Sequence, residues 1–341
     1  MNTDSDIAQQ RPDCVVIDTN IWRSELLLRT PKGVSLVYTL GRQGGYIGLP
    51  EVIEREVTNQ VLEHACDANR KVEDGSRIIS TLTDTPFLPF SASEVALEQA
   101  IRTRLGELER ILVRVPFTVA HANAALDMVN ARVPPNGKGN QQFKDSAIWQ
   151  AVLDLSLKYT VHLITNDTGF FLDRKTTKGL ATNLQEDCKK ANGSVAIYHD
   201  FATCLDALTS DKPPFDREGL ISLIEPFVMP RLQAEATRLR YELKESPRVE
   251  VTAFRTGDSS RIAVDFTFLM RGELEPSVRR GSERVCRAAA YGSCYYDPTS
   301  DAISDEFLQE IHFLSRSFRH LREFKHEDSS IPFPRPLQPD A

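Results

Sequence analysis

The stretch Cys14-Val15-Val16-Ile17-Asp18-Thr19-Asn20 joins four apolar residues to three polar ones. This pattern predicts a buried strand whose carboxyl end carries polar groups. Val161-His162-Leu163-Ile164-Thr165, followed by Asn166-Asp167, repeats it. Because sites in open parallel sheets form outside the carboxyl ends of the strands, Asp18 and Asp167 are candidate site residues. Each of them alone is equally compatible with ordinary turn or N-cap chemistry.

Strands and helices alternate through the first two thirds of the chain. Further strands are predicted at Tyr46–Pro50 and Ser194–Tyr198, and helices at about 21–40, 51–68 and 145–158. Residues 71–129 have mostly helical spacing and are interpreted as a helical insertion. The alternation predicts an α/β fold, a parallel-sheet sandwich with helices on both faces.

A polar, proline-containing segment at 210–214 predicts a domain boundary, so the first domain is placed at 13–210. A smaller α+β domain is expected at 217–326. Its expected elements are a helix at 218–245 that Pro226 and Pro230 kink or interrupt, an antiparallel meander of strands at 249–254, 261–269 and 284–296, and a closing helix at 305–323. Residues 1–12 are expected to be disordered, and 327–341 form a tail.

The composition is that of a soluble globular protein, with 41% hydrophobic and 26% charged residues among 341. No window approaches eighteen consecutive apolar residues and the N-terminus is polar, which predicts a cytoplasmic protein without membrane association. The six cysteines are scattered and are interpreted as reduced. A net charge of −7 argues against a general nucleic-acid coat protein but does not exclude a nuclease, whose acids need metal ions.

Helix geometry selects one acid among three after Pro50. A helix advances about 100° per residue, and Ile53, Val57 and Val61 then define an apolar stripe that includes Glu56. Glu54 lies on the margin of this stripe and Glu51 lies outside it. An inward carboxylate needs a partner, so Glu56 is either a site residue or one half of a buried ion pair with an arginine or lysine.

The same construction places Asp145 at the centre of the apolar face of its helix and Asp154 on the solvent side. Because Asp145 opens the helix, an N-cap role is an equally good interpretation. Together, Asp18, Glu56, Asp145 and Asp167 could converge on one edge of the sheet. Crowded carboxylates raise one another's pKa unless cations neutralise them, and this donor set favours Mg²⁺ or Mn²⁺ over zinc.

Four segments, in order, resemble the motifs of PIN-domain nucleases. They are Val15-Val16-Ile17-Asp18-Thr19-Asn20, Leu49-Pro50-Glu51-Val52-Ile53-Glu54-Arg55-Glu56-Val57, Phe143-Lys144-Asp145-Ser146-Ala147-Ile148 and Thr165-Asn166-Asp167-Thr168-Gly169-Phe170-Phe171. The resemblance covers about residues 13–208 and implies a PIN-like fold, single-strand preference and endoribonuclease activity. It also implies that Asp18, Glu56, Asp145 and Asp167 are the catalytic, metal-binding acids, with Thr19, Asn20, Thr165 and Asn166 in supporting positions. The chain differs from the compact toxin ribonucleases of this family in two ways: it has a longer insertion between Glu56 and Asp145, and it has the additional segment 217–326.

The mechanistic hypothesis is hydrolysis of a phosphodiester, with one metal ion lowering the pKa of the attacking water and one steadying the leaving oxygen. Lys138, Lys144, Lys175 and Lys178 are candidate substrate-binding residues, or they simply solubilise their loops. Arg279, Arg280, Arg284 and Arg287, with Arg316, Arg319 and Arg322, form either an RNA-guiding surface or a solvated face.

RNA is the expected substrate. The alternatives are a DNA nuclease that cuts flaps or single strands, and a catalytically silent module that binds nucleic acid or protein. A protein partner or homo-oligomer is compatible with the sequence but cannot be derived from it.

Overall fold

The computed structural model describes residues 11–87, 91–137, 141–209, 212–275 and 285–314. These residues divide into two compact units. The first contains the described residues up to Arg23, Leu40–Arg174 and Lys178–Tyr198. The second contains Ser24–Thr39, Lys175–Thr177 and the described residues from His199 onward. The domain limits predicted at 210 and 217 stay a prediction.

The first unit is built on a five-stranded parallel sheet, which confirms the predicted α/β fold. The strands follow the order β3-β2-β1-β4-β5 and are β1 (Asp13–Ile17), β2 (Tyr46–Pro50), β3 (Leu112–Val115), β4 (Thr160–Ile164) and β5 (Ser194–Tyr198). In the central strand, Val16 lies opposite Gly48 of β2 and Leu163 of β4. These three strands carry apolar runs buried on both faces, as expected for the interior of a parallel sheet.

The helices along the chain are α1 (Thr19–Ser24), α2 (Pro31–Gln43), α3 (Glu51–Thr83), α4 (Glu94–Leu108), α5 (Val119–Ala131), α6 (Phe143–Ser156), α7 (Thr182–Lys190), α8 (Phe201–Leu208) and α9 (Arg217–Arg238). Among the described residues, no helix is both long and apolar enough to cross a membrane. Helix α6 packs directly on β2 because a Cβ atom at Gly48 would lie 2.5 Å from Leu155 Cδ1. This close approach places the C-terminal end of α6 against β2.

Three predicted elements of this part of the chain need correction. The helix expected at 21–40 is interrupted between α1 and α2, where Leu26, Leu27 and Leu28 have positive φ. Pro31 is the first residue of α2, a position that suits a proline because its missing N–H group has no partner within the helix there. Helix α3 runs to Thr83 instead of ending near 68, and the expected helical insertion contains β3, an edge strand of the sheet.

The second unit contains a four-stranded antiparallel sheet, so the predicted meander is confirmed. Its strands are adjacent in chain order: β6 (Tyr241–Arg255), β7 (Ile262–Leu274), β8 (Val285–Asp297) and β9 (Ala302–Leu314). Helix α9 places a stripe of apolar residues at four-residue spacing against the sheet. The stripe consists of Leu220, Ile224, Val228 and Leu232, and it shares its core with Phe266 and Phe268. The spacing is that of a helix with one buried face.

Two helix predictions fail here. The closing helix expected at 305–323 is strand β9 as far as Leu314, and residues 315–323 lie outside the described part. Helix α9 ends at Arg238 and β6 begins at Tyr241, so no helix reaches 245. Pro226 and Pro230 lie within α9 on its exposed side and do not interrupt it. Residues 1–10 and the tail at 327–341 also lie outside the description.

In the second unit, Lys32 of α2 forms a buried ion pair with Asp265 of β7 and lies near Glu25, which precedes α2. The Lys32 ammonium lies 2.9 Å from Asp265 Oδ1 and 3.6 Å from Glu25 Oε1. It also donates to Gln309 Oε1 at 3.1 Å. Burial lowers the pKa of Lys32, but the charges of Asp265, Glu25 and Asp200 outweigh it and raise the pKa above its usual value. Lys32 therefore stays charged inside this unit.

Candidate functional site

Three of the four predicted acids follow the carboxyl ends of three adjacent strands. Asp18 directly follows β1, Asp167 lies three residues after the end of β4, and Glu56 is in the second turn of α3, which follows β2. Asp145 comes from the first turn of α6. Because β2, β1 and β4 are parallel neighbours, these ends meet at one edge of the sheet. The acids interact electrostatically with one another there.

Asp18 is held by two threonines that belong to the predicted supporting set. The backbone N–H of Thr19 donates to Asp18 Oδ1 at 2.7 Å, and Thr165 Oγ1 donates to Oδ2 at 2.8 Å. Burial raises the pKa of Asp18, these two hydrogen bonds lower it, and the charges of Asp167 and Glu56 raise it again, for a net rise. Asp18 is thus fixed in orientation and lies beside two other carboxylates.

Glu56 accepts three hydrogen bonds at this edge. Thr19 Oγ1 donates to Oε2 at 2.7 Å, and Gln60 Nε2 donates to Oε1 at 2.7 Å. Lys144 Nζ also contacts Oε1, at 2.5 Å. An ion pair with a lysine therefore exists, as the alternative interpretation of Glu56 required, but the Lys144 side chain is 50% exposed, so the pair is not buried.

The neighbouring acids of α3 point elsewhere. Glu54 binds Arg114, with Oε1 3.0 Å from Nε. Glu51 accepts a hydrogen bond from the backbone N–H of Phe117 at 2.8 Å. Of these three acids, Glu56 is the one that contacts Thr19 and Lys144.

Asp145 does not cap its helix. Residue Gln142 occupies the N-cap position of α6 and makes no side-chain capping bond. Burial, the charges of Asp167 and Asp18, and a hydrogen bond with the Asp167 carboxyl raise the pKa of Asp145 to about 7, although the Lys144 charge opposes the rise. The N-cap interpretation is thus wrong, and Asp145 is a partly buried carboxyl among like charges.

Asp167 has both local and long-range partners. Its Oδ1 accepts from Gly169 N at 2.7 Å and caps a single 3₁₀ turn, Thr168–Phe170. Its Oδ2 accepts from Gln142 Nε2 at 2.5 Å. Its own N–H donates to Thr165 Oγ1 at 3.0 Å, so one threonine connects Asp167 to Asp18. Asp167 therefore has two roles: it caps a turn, and it lies beside Asp145 and Asp18 in the acid cluster.

The remaining candidates are placed differently. Asn20 and Asn166 are exposed. Lys178 pairs with Asp173 at 2.8 Å, Lys175 is exposed and falls in the second unit, and Lys138 lies outside the described residues. Of the four candidate lysines, Lys144 contacts an acid of the cluster.

The proposed arginine surface loses one of its members. Arg287 is buried in β8, and burial lowers its pKa, so it does not contribute to an exposed basic face. The others of the set lie outside the described residues: Arg279, Arg280, Arg284, Arg316, Arg319 and Arg322.

Residues 15–170 match the family model described as the PIN domain. We refer to this matched segment, residues 15–170, as the PIN domain. It contains all four acids of the cluster, and PIN domains are generally nucleases that act on nucleic acids. Comparisons with curated proteins and with solved structures found no match. The fold and the order of the motifs thus agree with the resemblance seen in the sequence.

The acids of the PIN domain do not form a closed metal cage. Within the described ranges, no three carboxylate, histidine or cysteine side chains are placed together so as to hold a metal ion. PIN domains typically use divalent metals. Mg²⁺ usually keeps several water ligands and binds one or two carboxylates together with substrate phosphates, so an open group of acids suits it.

Two glutamines of the PIN domain were not predicted from the sequence. Gln142 donates to Asp167 and Gln60 donates to Glu56. The amide oxygens Gln142 Oε1 and Gln60 Oε1 are buried and have no hydrogen-bond partner among the residues that the structure describes. Gln60 lies four residues after Glu56 on the same helix face, which is a usable sequence signal. Gln142 gave no such signal, because its contact with Asp167 depends on the folded loop.

Replacing Gly169 by alanine should destabilise the PIN domain and slow any cleavage. An added Cβ would lie 2.4 Å from the carbonyl oxygen of Pro135, 2.9 Å from Gln142 Oε1 and 3.1 Å from Asp167 Oδ1. We expect a loss of about 1–3 kcal/mol in the free energy of unfolding, measured by denaturant titration. Gly106→Ala is the control, because its Cβ would meet nothing within 4 Å. Equal stability of the two variants would contradict this packing.

Proposed function

We propose that the PIN domain is a metal-dependent endoribonuclease that prefers single-stranded RNA, with Asp18, Glu56, Asp145 and Asp167 as its catalytic, metal-binding acids. The observation that carries this proposal is the crowding of carboxylates at the sheet edge. Both Asp18 and Asp145 have raised pKa values because they are buried beside other carboxylates. A bound cation would remove this cost, since an opposite charge nearby favours the ionised form.

The donor set fits Mg²⁺ or Mn²⁺ on two counts. Carboxylate oxygens are the ligands these hard ions prefer, whereas zinc sites in proteins use mainly histidine and cysteine. The unpartnered oxygens of Gln142 and Gln60 are acceptors that water ligands of a hydrated ion could satisfy. When bound, such an ion supplies charge neutralisation for the phosphate and a water molecule that ionises nearer neutral pH.

The side chains around the acids have separate roles in this proposal. Thr19 and Thr165 orient Asp18, and Gln142 orients Asp167, so these residues position the carboxylates. Lys144 holds a positive charge at Glu56 and is exposed enough to turn towards a substrate phosphate instead. A lysine ammonium can change from a carboxylate partner to a phosphate partner, because it is a point charge on a flexible stem with rotatable donors.

Glu56→Gln should reduce cleavage of single-stranded RNA by about 100-fold, equivalent to about 3 kcal/mol in the activation free energy. The amide keeps the shape but removes the charge that faces Asp18 and Lys144. Single-turnover cleavage with Mn²⁺ or Mg²⁺ measures the rate. Glu54→Gln is the matched control on the same helix, because Glu54 binds Arg114 outside the cluster. If the two variants have equal rates, Glu56 is not a catalytic acid.

Parallel assays on RNA and DNA of the same sequence test the substrate class. The proposal expects faster cleavage of single-stranded RNA, products with 5′-phosphate and 3′-hydroxyl ends, and loss of activity in a chelator. Faster cleavage of single-stranded or flap DNA would replace the RNA assignment by a DNA nuclease. Activity that persists in the chelator would overturn metal dependence, and binding without cleavage of any substrate would indicate a silent module.

A further inference from the structure

Two partly exposed phenylalanines of the first unit contact each other. Phe117 is 39% exposed and Phe143 is 41% exposed. Their ring centroids are 6.5 Å apart and their planes meet at 84°. Single exposed apolar residues are common on protein surfaces, whereas two exposed rings in mutual contact form a small contiguous apolar surface that a ligand can cover. Nearby aromatic residues of the same unit, such as Trp149 and Phe170, are buried.

Phe143 belongs to the helix that carries Asp145, and Phe117 follows the carboxyl end of β3, the strand next to β2. Phe117 lies two residues beyond the end of β3, and its backbone N–H is bound by Glu51, the first residue of α3. Phe143 is the first residue of α6 and is followed by Lys144 and Asp145. The aromatic pair therefore sits at the sheet edge where the carboxylates gather.

Helix geometry defines how the pair lies relative to the acids. Phe143 and Asp145 are about 200° apart around the axis of α6, with Lys144 between them. The Lys144 ammonium reaches Glu56. Phe143 and Asp145 thus project from opposite sides of α6. A nucleic acid whose phosphate lies at the carboxylates and Lys144 would therefore contact the two rings with a neighbouring nucleotide and not with the cleaved linkage.

The two rings have the chemistry of a base-stacking site. Because the planes of Phe117 and Phe143 meet at 84°, the edge of one ring lies against the face of the other, and the two rings form a corner on the surface. Stacking of a base on an aromatic side chain contributes about 1–3 kcal/mol and tolerates any base, because every base has a π face. A base in a duplex has its faces covered by its neighbours, so the corner fits an unpaired base.

We propose that Phe117 and Phe143 form a stacking site for an unpaired nucleobase next to the cleaved phosphodiester. The inference rests on the proposed nuclease function and gives a structural origin for single-strand preference. The adjacent positive charge of Lys144 favours a nucleic acid over an apolar protein segment as the occupant, because it would pair with the backbone phosphate.

Binding without cleavage tests the site directly. In the full-length Asp145→Asn protein, a fluorescent single-stranded RNA should bind about 5- to 100-fold more weakly after Phe143→Leu or Phe117→Leu, measured by anisotropy. Leucine keeps the apolar volume and removes the π face. Phe87→Leu is the matched control, since Phe87 is 52% exposed after α3 and outside this corner. Phe143→Trp should bind at least as tightly as the parent.

The oligonucleotides separate the outcomes. The proposal expects the leucine variants to bind unpaired RNA more weakly than the parent. It expects no such difference with the same RNA when it carries abasic nucleotides or is paired in a duplex. Equal binding by the leucine variants and the Phe87→Leu control would overturn it, as would an equal loss on abasic RNA or a tryptophan variant that binds as weakly as leucine. If stacking is found but the wild-type protein cuts no RNA, the nuclease proposal fails and the stacking site stands.

Discussion

Asp145→Asn should cut single-stranded RNA at least about 1,000-fold more slowly than the wild-type protein, a loss of about 4 kcal/mol in transition-state stabilisation. Asp145 is the acid whose carboxyl interacts directly with Asp167 and also faces Asp18. Its replacement by a neutral amide removes a charge from the centre of the cluster, where a divalent cation would be held. Single-turnover cleavage with Mg²⁺ or Mn²⁺ measures the effect.

The same helix provides the control for this experiment. Asp154 lies nine residues further along α6, has a 57% exposed side chain and pairs with His121 at 2.8 Å. Asp154→Asn should therefore cut RNA at the wild-type rate. A folded Asp145→Asn protein that cuts as fast as the wild type would remove Asp145 from the catalytic set. A slow Asp154→Asn protein would show that the loss is not specific to the cluster.

The parts of the fold that were predicted correctly depend on short apolar runs and on helix direction. The strand at Tyr46–Pro50 was placed with its observed limits, because a buried parallel strand is a continuous apolar run bounded by turn residues. Glu56 was selected over Glu54 from the direction that a helix assigns to each side chain, and its role in the site stays a prediction. Both signals are local, so a single sequence contains them.

The fold predictions that failed concern elements whose structure depends on partners distant in the sequence. Strand β9 has apolar residues at Ile303, Phe307, Leu308 and Ile311, a spacing that also suits a helix. Its pairing with β8 shifts register between Tyr291 and Gly292, and such a bulge breaks the strict alternation of a strand. Only the neighbouring strand decides between the two structures, and the local pattern does not reveal it.

The candidate site shows the same division. The four acids were selected from strand ends and helix faces, but Lys144 meets Glu56 across 88 positions in the sequence, and Gln142 meets Asp167 across 25. The N-cap interpretation of Asp145 failed because α6 begins at Phe143, two residues earlier than the pattern indicated. Helix ends are set by loop geometry, which sequence patterns define less well than helix faces.

Asp145→Asn should also change how stability depends on pH in the metal-free protein. The pKa of Asp145 is about 7 in the folded chain, against 3.8 for the free side chain. Since the folded state binds this proton more tightly than the unfolded state, stability is lost as pH rises from about 4 to about 7 and is constant above that range. The asparagine variant has no proton to lose at this position and escapes this loss.

The difference between the two proteins therefore grows with pH. With chelator present, the free energy of unfolding of the variant minus that of the wild type should increase by on the order of 2–3 kcal/mol between pH 5 and pH 8. Denaturant titrations at the two pH values measure it, with Asp154→Asn expected to follow the wild type. Parallel curves for Asp145→Asn and wild type would mean that Asp145 is not crowded by like charges. A variant that is more stable at pH 8 and yet inactive would show that the acid is retained for chemistry, because its charge costs stability in the absence of a cation.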